Sequence, residues 1–225
     1  MTSYNFLRES NVHLVYGGSR YLLKTAPDVS FSQTFAEDAY EVKTLHDQTK
    51  MFQGTSITKA NPAEFSFSVN LTTEKDETIV KSLLTDYDST GSNITSFDLY
   101  IVSSESTFKL TECVITNGDF NLAKGSALTL AVSGQAQKLE RVGNASYSLP
   151  GSLVSASSTR TPTLSLIDVE VSGSDVSNII SATLSVQNEI SWTPYETLQS
   201  SLSVTNASNA MYPSTFTLGR RVVSG

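Results

Sequence analysis

The clearest alternation of apolar and polar positions in the chain is Phe65-Ser-Phe-Ser-Val-Asn-Leu71, where Phe65, Phe67, Val69 and Leu71 fall on one face. A period of two is that of a half-buried strand, with one side in a core and the other polar. The stretch before it, from Pro27, spreads Val29, Phe31, Phe35, Tyr40, Val42 and Leu45 among serines, threonines and charged residues. It divides into Asp28–Phe35, an acidic step over Ala36–Ala39, and Tyr40–Leu45, which together predict a long hairpin arm. An arm of this kind carries too little apolar surface to close a core alone. The expectation is therefore that Val29, Phe31, Phe35, Tyr40, Val42 and Leu45 gain burial against another subunit.

Around this centre the pattern predicts further strands and one helix. Asn11–Tyr16 and Arg20–Thr25 read as strands flanking a Gly17-Gly18-Ser19 turn. Gly54 and Asn61-Pro62 punctuate a loop before Phe65. After Leu71 the period changes: Ile79, Val80, Leu83, Leu84 and Tyr87 recur at helical spacing, behind Thr73 as candidate N-cap and acidic Glu74, Asp76 and Glu77. This helix, near 74–87, has a narrow apolar stripe and should lie flat on a sheet. Strands resume at Phe97, Leu99 and Ile101 and at Phe108 and Leu110, with a register break near Cys113-Val114-Ile115. Asn117-Gly118 has turn chemistry, and Leu128, Leu130 and Val132 alternate again before Gln135–Arg141. A Gly-, Ser- and Ala-rich connector from Gly143 to about Arg160 has the composition of a linker.

Beyond the connector the pattern of the beginning returns. Val169 and Val171 stand to Ile179-Ile180 as Val12 and Leu14 stand to Leu22-Leu23. Tyr195-Glu-Thr-Leu198 echoes Tyr40-Glu41 and Thr44-Leu45, and Tyr212-Pro213 with Phe216-Thr-Leu218 echoes Asn61-Pro62 with Phe65-Ser-Phe67. Three echoes in one order predict an internal duplication. The domains are then 1–145, a linker over 146–162, and a partial second copy over 163–225 made of strands and hairpin only. That copy stops where the first begins its helix, so it is expected either to continue past Gly225 or to be completed by another chain. Trp192 and Tyr195 fall on the arm of the second copy and join the candidate interface residues.

The arms Ser30–Phe35 and Tyr40–Leu45, the strand Asn61–Phe67, the helix after Thr73 and the closing strand Gly125–Val132 resemble those of bacteriophage major tail tube proteins. The resemblance implies a mainly β, sandwich- or barrel-like fold with one flanking helix and a long hairpin arm. It implies a structural subunit that stacks as rings into a hollow conduit for DNA ejection, in a virion tail assembled in the host bacterial cytoplasm. The implied partners are other copies of the chain, tape-measure and tail-completion proteins, and a sheath if the tail is contractile, while viral DNA passes without specific binding. With a duplicated fold, three chains would close one ring. Two other readings stay open: a β-rich adhesin or receptor-binding surface module, and the tube of a contractile secretion system.

Composition narrows the chemistry. The 225 residues are 39% hydrophobic and 16% charged with a formal net charge of -7, a sign that argues against sequence-independent nucleic-acid binding. Met1–Glu9 has no basic segment followed by an apolar core, and no apolar run reaches membrane-spanning length, so a soluble protein without a membrane anchor is expected. Cys113 is the only cysteine, which excludes an intrachain disulfide. His13 and His46 are far apart, and neither a nucleophile elbow nor a lysine-containing phosphate loop is present. Glu37, Asp38 and Glu41 read as a solvated hairpin tip. Asn70, Asn93, Asn144 and Asn206 match the glycosylation pattern without a secretory signal. The expectation is no enzyme, no cofactor and no metal.

Overall fold

The computed structural model describes residues 10–44, 47–72, 74–87, 89–91, 93–156, 161, 170–171, 173–175, 179–193 and 212–225, with backbone alone for 36–59, 75, 76, 170, 171 and 175. The order is β1 (Asn11–Tyr16), β2 (Ser19–Leu23), β3 (Ser30–Ser32), β4 (Phe35–Thr44), β5 (Asp47–Ala60), β6 (Ala63–Asn70) and then the helix α1 (Lys75–Thr85). After it come β7 (Phe97–Val102), β8 (Thr107–Ala123), β9 (Thr129–Ala136), β10 (Lys138–Gly143), β11 (Ser152–Leu153), β12 (Glu170–Val171), β13 (Ser174–Asp175), β14 (Ser181–Trp192) and β15 (Phe216–Ser224). Eleven strands form one open sheet, while β4 pairs only with β5 and β12 only with β13. The fold is mainly β with one helix among the described residues, as the patterning predicts.

The long strand β8 organises the sheet. Its first half pairs with β7 and β10, its second half with β9 and β14. The partners change at Glu112, whose φ is 51° and whose N–H is held by Asp98 Oδ1 at 3.0 Å. This is where a register break was expected from Cys113-Val114-Ile115. A left-handed backbone costs a side-chain-bearing residue about 1–2 kcal/mol, partly offset by the extra unfolded-state freedom glycine would bring. Glu112→Gly is thus expected to be neutral or stabilising by up to about 1 kcal/mol in urea unfolding, whereas Glu112→Val should destabilise. The reverse order would show that Asp98, not backbone geometry, governs the bend.

Residues from both halves of the sheet share one core. Val12, Leu14 and Leu23 meet Phe65, Phe67 and Val69, Leu99, Leu110, Ile115, Leu130 and Val132 there, and Val80, Leu83 and Leu84 of the helix cover them. Odd positions of β6 point inward and even ones outward, as its alternation requires. The helix is capped by Glu74, and just ahead of it Thr72 Oγ1 accepts the Glu74 N–H at 3.2 Å and donates to buried Glu77. Thr73, the expected cap, lies outside the described residues. Tyr87, expected on the helix, lies beyond its end and is 48% exposed.

Several sequence expectations need redrawing. The hairpin arm is not Asp28–Leu45 alone: its two sides are β4 and β5, and β5 falls where a loop was expected. A ribbon with no third strand has no core to face, so Asp47–Ala60 carries no apolar stripe to announce it. Asn117-Gly118 is not a turn but lies within β8, because a Cβ at Gly118 would come 2.4 Å from Leu84 Cδ2. Glycine there admits the helix. The linker expected over 146–162 is docked in its first part. Tyr147 stacks on Tyr100 at 6.3 Å, Leu149 O accepts from Arg20 Nη1 at 2.8 Å, and β11 lies parallel to β2. Backbone pairing, which composition does not encode, holds it. Within 163–225, the span expected as a partial second copy, β14 pairs with β8 and Val186 enters the shared core.

Candidate assembly surface

The outward positions of β3, β6, β9, β8, β14 and β15 line up in rows across the sheet. One row reads Ser30, Ser66, Ser133, Asn117, Gln187 and Val222. The next reads Ser68, Ala131, Asp119, Ser185 and Ser224, and a third Asn70, Thr129, Asn121 and Thr183. None of these rows contains Lys, Arg or His. Its acids are held in place: Asp119 accepts from Ser185 Oγ at 2.5 Å and Asn117 Nδ2 at 2.8 Å, and Asp28 accepts from Ser68 Oγ at 2.5 Å. Two shallow depressions of about 330 and 240 Å³ cross this face. Small side chains in flat rows make a smooth, hydrated and weakly acidic wall. No group of acids, histidines and cysteine suited to a metal ion occurs among the described residues.

Both ends of this half-sheet are edges. β3 pairs only with β6, and β15 only with β14. Part of the outer edge of β15 is occupied by Asn93, whose Nδ2 donates to Phe216 O at 2.8 Å and whose Oδ1 accepts from Leu218 N at 2.9 Å. Beside β3 rises the β4–β5 ribbon, whose longer strand of 14 residues spans about 45 Å when extended. Its root is fixed by Asn61 N–H to Thr34 O at 3.0 Å and by Gln33, whose Nε2 donates to Asn61 O at 2.9 Å while its Oε1 accepts from Leu139 N at 2.9 Å. Register irregularities at Ala36/Glu37, Ala39/Glu41 and Val42/Thr44 add local twist to the ribbon.

The residues singled out from sequence separate into groups. Val29 and Phe31 lie half-buried against the chain's own core, with the Phe31 ring 5.5 Å from Phe108. Phe35 is 41% exposed at the ribbon root. Tyr40 and Val42 are on β4, and Val42 stands opposite Met51. Trp192 is half-buried, donates Nε1–H to Gln135 Oε1 at 2.9 Å, and its ring lies 5.3 Å from Phe216. Leu45 and Tyr195 lie outside the described residues.

Sequence reasoning missed the group that fastens the β14–β15 ribbon to the helix. Buried Asn188 donates Nδ2–H to Ile115 O at 2.9 Å and Leu84 O at 3.3 Å, and accepts from Arg221 Nε at 2.7 Å. Arg221 in turn donates to Thr85 O at 2.8 Å and Leu84 O at 3.1 Å, with its guanidinium 4.6 Å from the Tyr87 ring centre. A cation on the last helical carbonyls satisfies orphan acceptors and opposes the helix dipole. The signal was present, since Asn188 interrupts the inward series Leu184, Val186 and Ile190.

Altered acidity at Cys113 and at His13 does not make a site. Burial of Cys113 pushes its thiol well up, which leaves it unreactive. Burial, and then the charge of Arg20, lower the His13 pKa below 6.5, and its Nδ1 has no hydrogen-bond partner among the described residues. Native His13 therefore stays neutral while the unfolded chain takes up a proton as pH falls through about 6.5. The associated stability is present above that value and is lost as pH drops from it towards the lowered native value, with a slope of at most about 1.4 kcal/mol per pH unit. His13→Gln is expected to flatten urea-midpoint profiles as pH falls below about 6.5. An unchanged profile would mean that His13 titrates alike in both states.

A family model described as the Bacteriophage Baseplate Tube Protein Family matches residues 2–215. Among solved structures, a chain of the anti-feeding prophage (AFP) baseplate is 11% identical with a TM-score of 0.46, covering 65% of this chain and 100% of that one. A chain of the anti-feeding prophage tube-terminating cap is 9% identical with a TM-score of 0.47, covering 64% and 94%. A chain from the PVC sheath-tube complex of an extracellular contractile injection system is 8% identical with a TM-score of 0.42, covering 60% and 89%. No curated protein matches.

Proposed function

The chain belongs to the bacteriophage baseplate tube protein family, and from that premise we propose that it is a structural tail subunit whose copies close into rings and stack as a conduit for DNA. The observation that carries this reading is the flat face of serine, asparagine, threonine and aspartate rows bounded by the edges of β3 and β15. Three rows of mostly small polar groups without a cation, with Arg220 in the next position of β15 paired to Glu189, repel phosphate weakly and offer DNA little to hold. Edges that would endanger a free protein serve to join neighbouring copies strand to strand. Tape-measure and tail-completion proteins, and a sheath in a contractile tail, are the further partners this role entails. The role also sets aside the adhesin reading.

The test places cations on the wall. Tubes carrying Ser66→Lys, Asn117→Lys and Ser133→Lys together are expected to assemble, to retain DNA in a salt-dependent manner, and to slow ejection from particles. Wild-type tubes are expected to retain none. Subunits that fold but no longer assemble would instead put this face in a subunit contact and overturn its assignment as the conduit wall.

Ring composition depends on how many cores each chain brings. With β14 and β15 built onto β8 and Val186 in the shared core, the described residues support one wall position per chain. Mass measurement of isolated rings is expected to give as many chains as wall positions in projection. Half as many chains as positions would favour the duplicated arrangement and a threefold ring.

A further inference from the structure

The other half of the sheet, β2–β1–β7–β8, also has an outward face, and the chain lays a strap of its own across part of it. Val12, Leu14, Leu99 and Ile101 point into the core, so His13, Val15 and Tyr100 point out. His13 stands between Leu22 of β2 and Tyr100 of β7, and Arg20 stands opposite Val15 on the same face. The strap is Asn144–Val154. Asn144 O accepts from Thr107 Oγ1 at 2.8 Å, the Tyr147 ring stacks on Tyr100 at 6.3 Å, and Leu149 O accepts from Arg20 Nη1 at 2.8 Å. Its end follows the edge of β2, where Ser152 N–H reaches Gly18 O at 3.0 Å and Val154 N–H reaches Arg20 O at 2.8 Å. Leu153 stays 54% exposed, so the strap rests largely on these polar contacts and one ring.

The charge beneath the strap is one-sided. His13 Nδ1 and Arg20 Nε are buried and have no hydrogen-bond partner among the described residues. The charge that acts on the imidazole is the Arg20 guanidinium. Farther along the face the charged groups answer one another. Lys109, opposite Tyr100, pairs with Asp98 at 3.0 Å and lies 5.7 Å from the Tyr100 ring centre. Asp98 also accepts the N–H of exposed Glu112, and Glu140, opposite Lys109, pairs with Lys138 at 2.6 Å. Lys24, two places past Leu22, adds another cation, and the strap brings Tyr147 but no charged residue. A proton on His13 would thus set a second cation beside Arg20, where the nearby acceptor, Leu149 O, is already taken.

We propose that Asn144–Val154 is an acid-opened strap, with His13 as its trigger and the bond from Arg20 to Leu149 O as its latch. While His13 is neutral the strap stays docked and covers the Ser19–Arg20 edge of β2. Once the imidazole takes a proton, undocking returns both cations to water. The opened form then presents a free strand edge, a surface that pairs readily with another chain. Docking is favoured above about pH 6.5, where even an exposed imidazole is neutral, and is lost as pH falls below it, because the open form binds the proton more tightly. The strap is independent of the tube reading, which stands whether or not it opens.

Amide hydrogen exchange, followed residue by residue on the intact chain, tests it. After correction for intrinsic rates, protection of the Ser152 and Val154 N–H is expected to fall as pH drops below about 6.5, by up to tenfold per pH unit. These amides should exchange well ahead of those in β9, which report on the whole sheet. His13→Gln, with the fold verified by circular dichroism, is expected to hold strap protection constant over the same range. The wild-type profile needs no variant and can overturn the proposal alone: protection that does not change with pH, or strap amides that exchange only together with β9, would do so. An acid loss of the same size in His13→Gln would also overturn it, by removing His13 as the trigger.

Discussion

Asn188→Leu is expected to lower stability by about 2–4 kcal/mol, measured as a shift in urea midpoint at unchanged slope. The side chain is 4% exposed and uses both ends of its amide: Nδ2 donates to Ile115 O and Leu84 O, and Oδ1 accepts from Arg221 Nε. Leucine fills a similar volume, so packing changes little. It leaves the Ile115 carbonyl and the Arg221 Nε–H without their partner in a low-dielectric place, and an unmade bond there costs more than a made one contributes. Arg221→Lys keeps the cation near the helix end but loses the planar fork that reaches Thr85 O and Leu84 O together. A smaller loss, of about 1 kcal/mol, is therefore expected. Since the two residues share partners, the double variant Asn188→Leu/Arg221→Ala should cost less than the sum of the singles. Additive losses would mean that Asn188 and Arg221 act on the helix independently. The consequence reaches assembly, because β14 and β15 carry part of the polar rows.

What could be read in the sequence was what local periodicity records. The strand Ala63–Asn70 and the helix were legible because each places large side chains on one face against a common core, and burial enforces the period. The β5 strand was not legible, because its pairing with β4 rests on backbone hydrogen bonds and places no demand on side-chain period. Asn117-Gly118 misled for a related reason. Turn and close approach both select glycine, and only the position of Leu84 tells them apart. The candidate surface was half visible: the outward serines of β6 belong to its alternation, but the continuation through Ser133, Asn117 and Gln187 depends on registers set at long range. Of the interface residues named from sequence, exposed Phe35 fits an outward role more readily than Phe31, which already packs on Phe108.

Gly134→Ala is expected to cost about 3 kcal/mol, and more than Gly118→Ala. Both glycines are buried and face inward, but they are crowded by different things. At Gly118 the added carbon would meet the end of the Leu84 side chain at 2.4 Å, which a rotamer change can partly relieve. At Gly134 it would meet the Val114 backbone oxygen at 2.3 Å as well as Phe65 Cζ at 2.3 Å, and the backbone has nowhere to go without separating β9 from β8. The neighbouring register shift between Ile115 and Asn117 shows where that separation would open. Ser133 and Gln135 flank Gly134 and belong to the outward face, so the strain passes directly into the proposed wall. Trp192 is the only tryptophan and donates to Gln135, which makes it a built-in reporter. Native-state fluorescence is expected to shift in Gly134→Ala and to stay unchanged in Gly118→Ala, with thermal unfolding ranking the two in the same order. Equal losses, or a shift only in the Gly118 variant, would mean that the helix contact and not the β8–β9 crossing is the tighter constraint on this sheet.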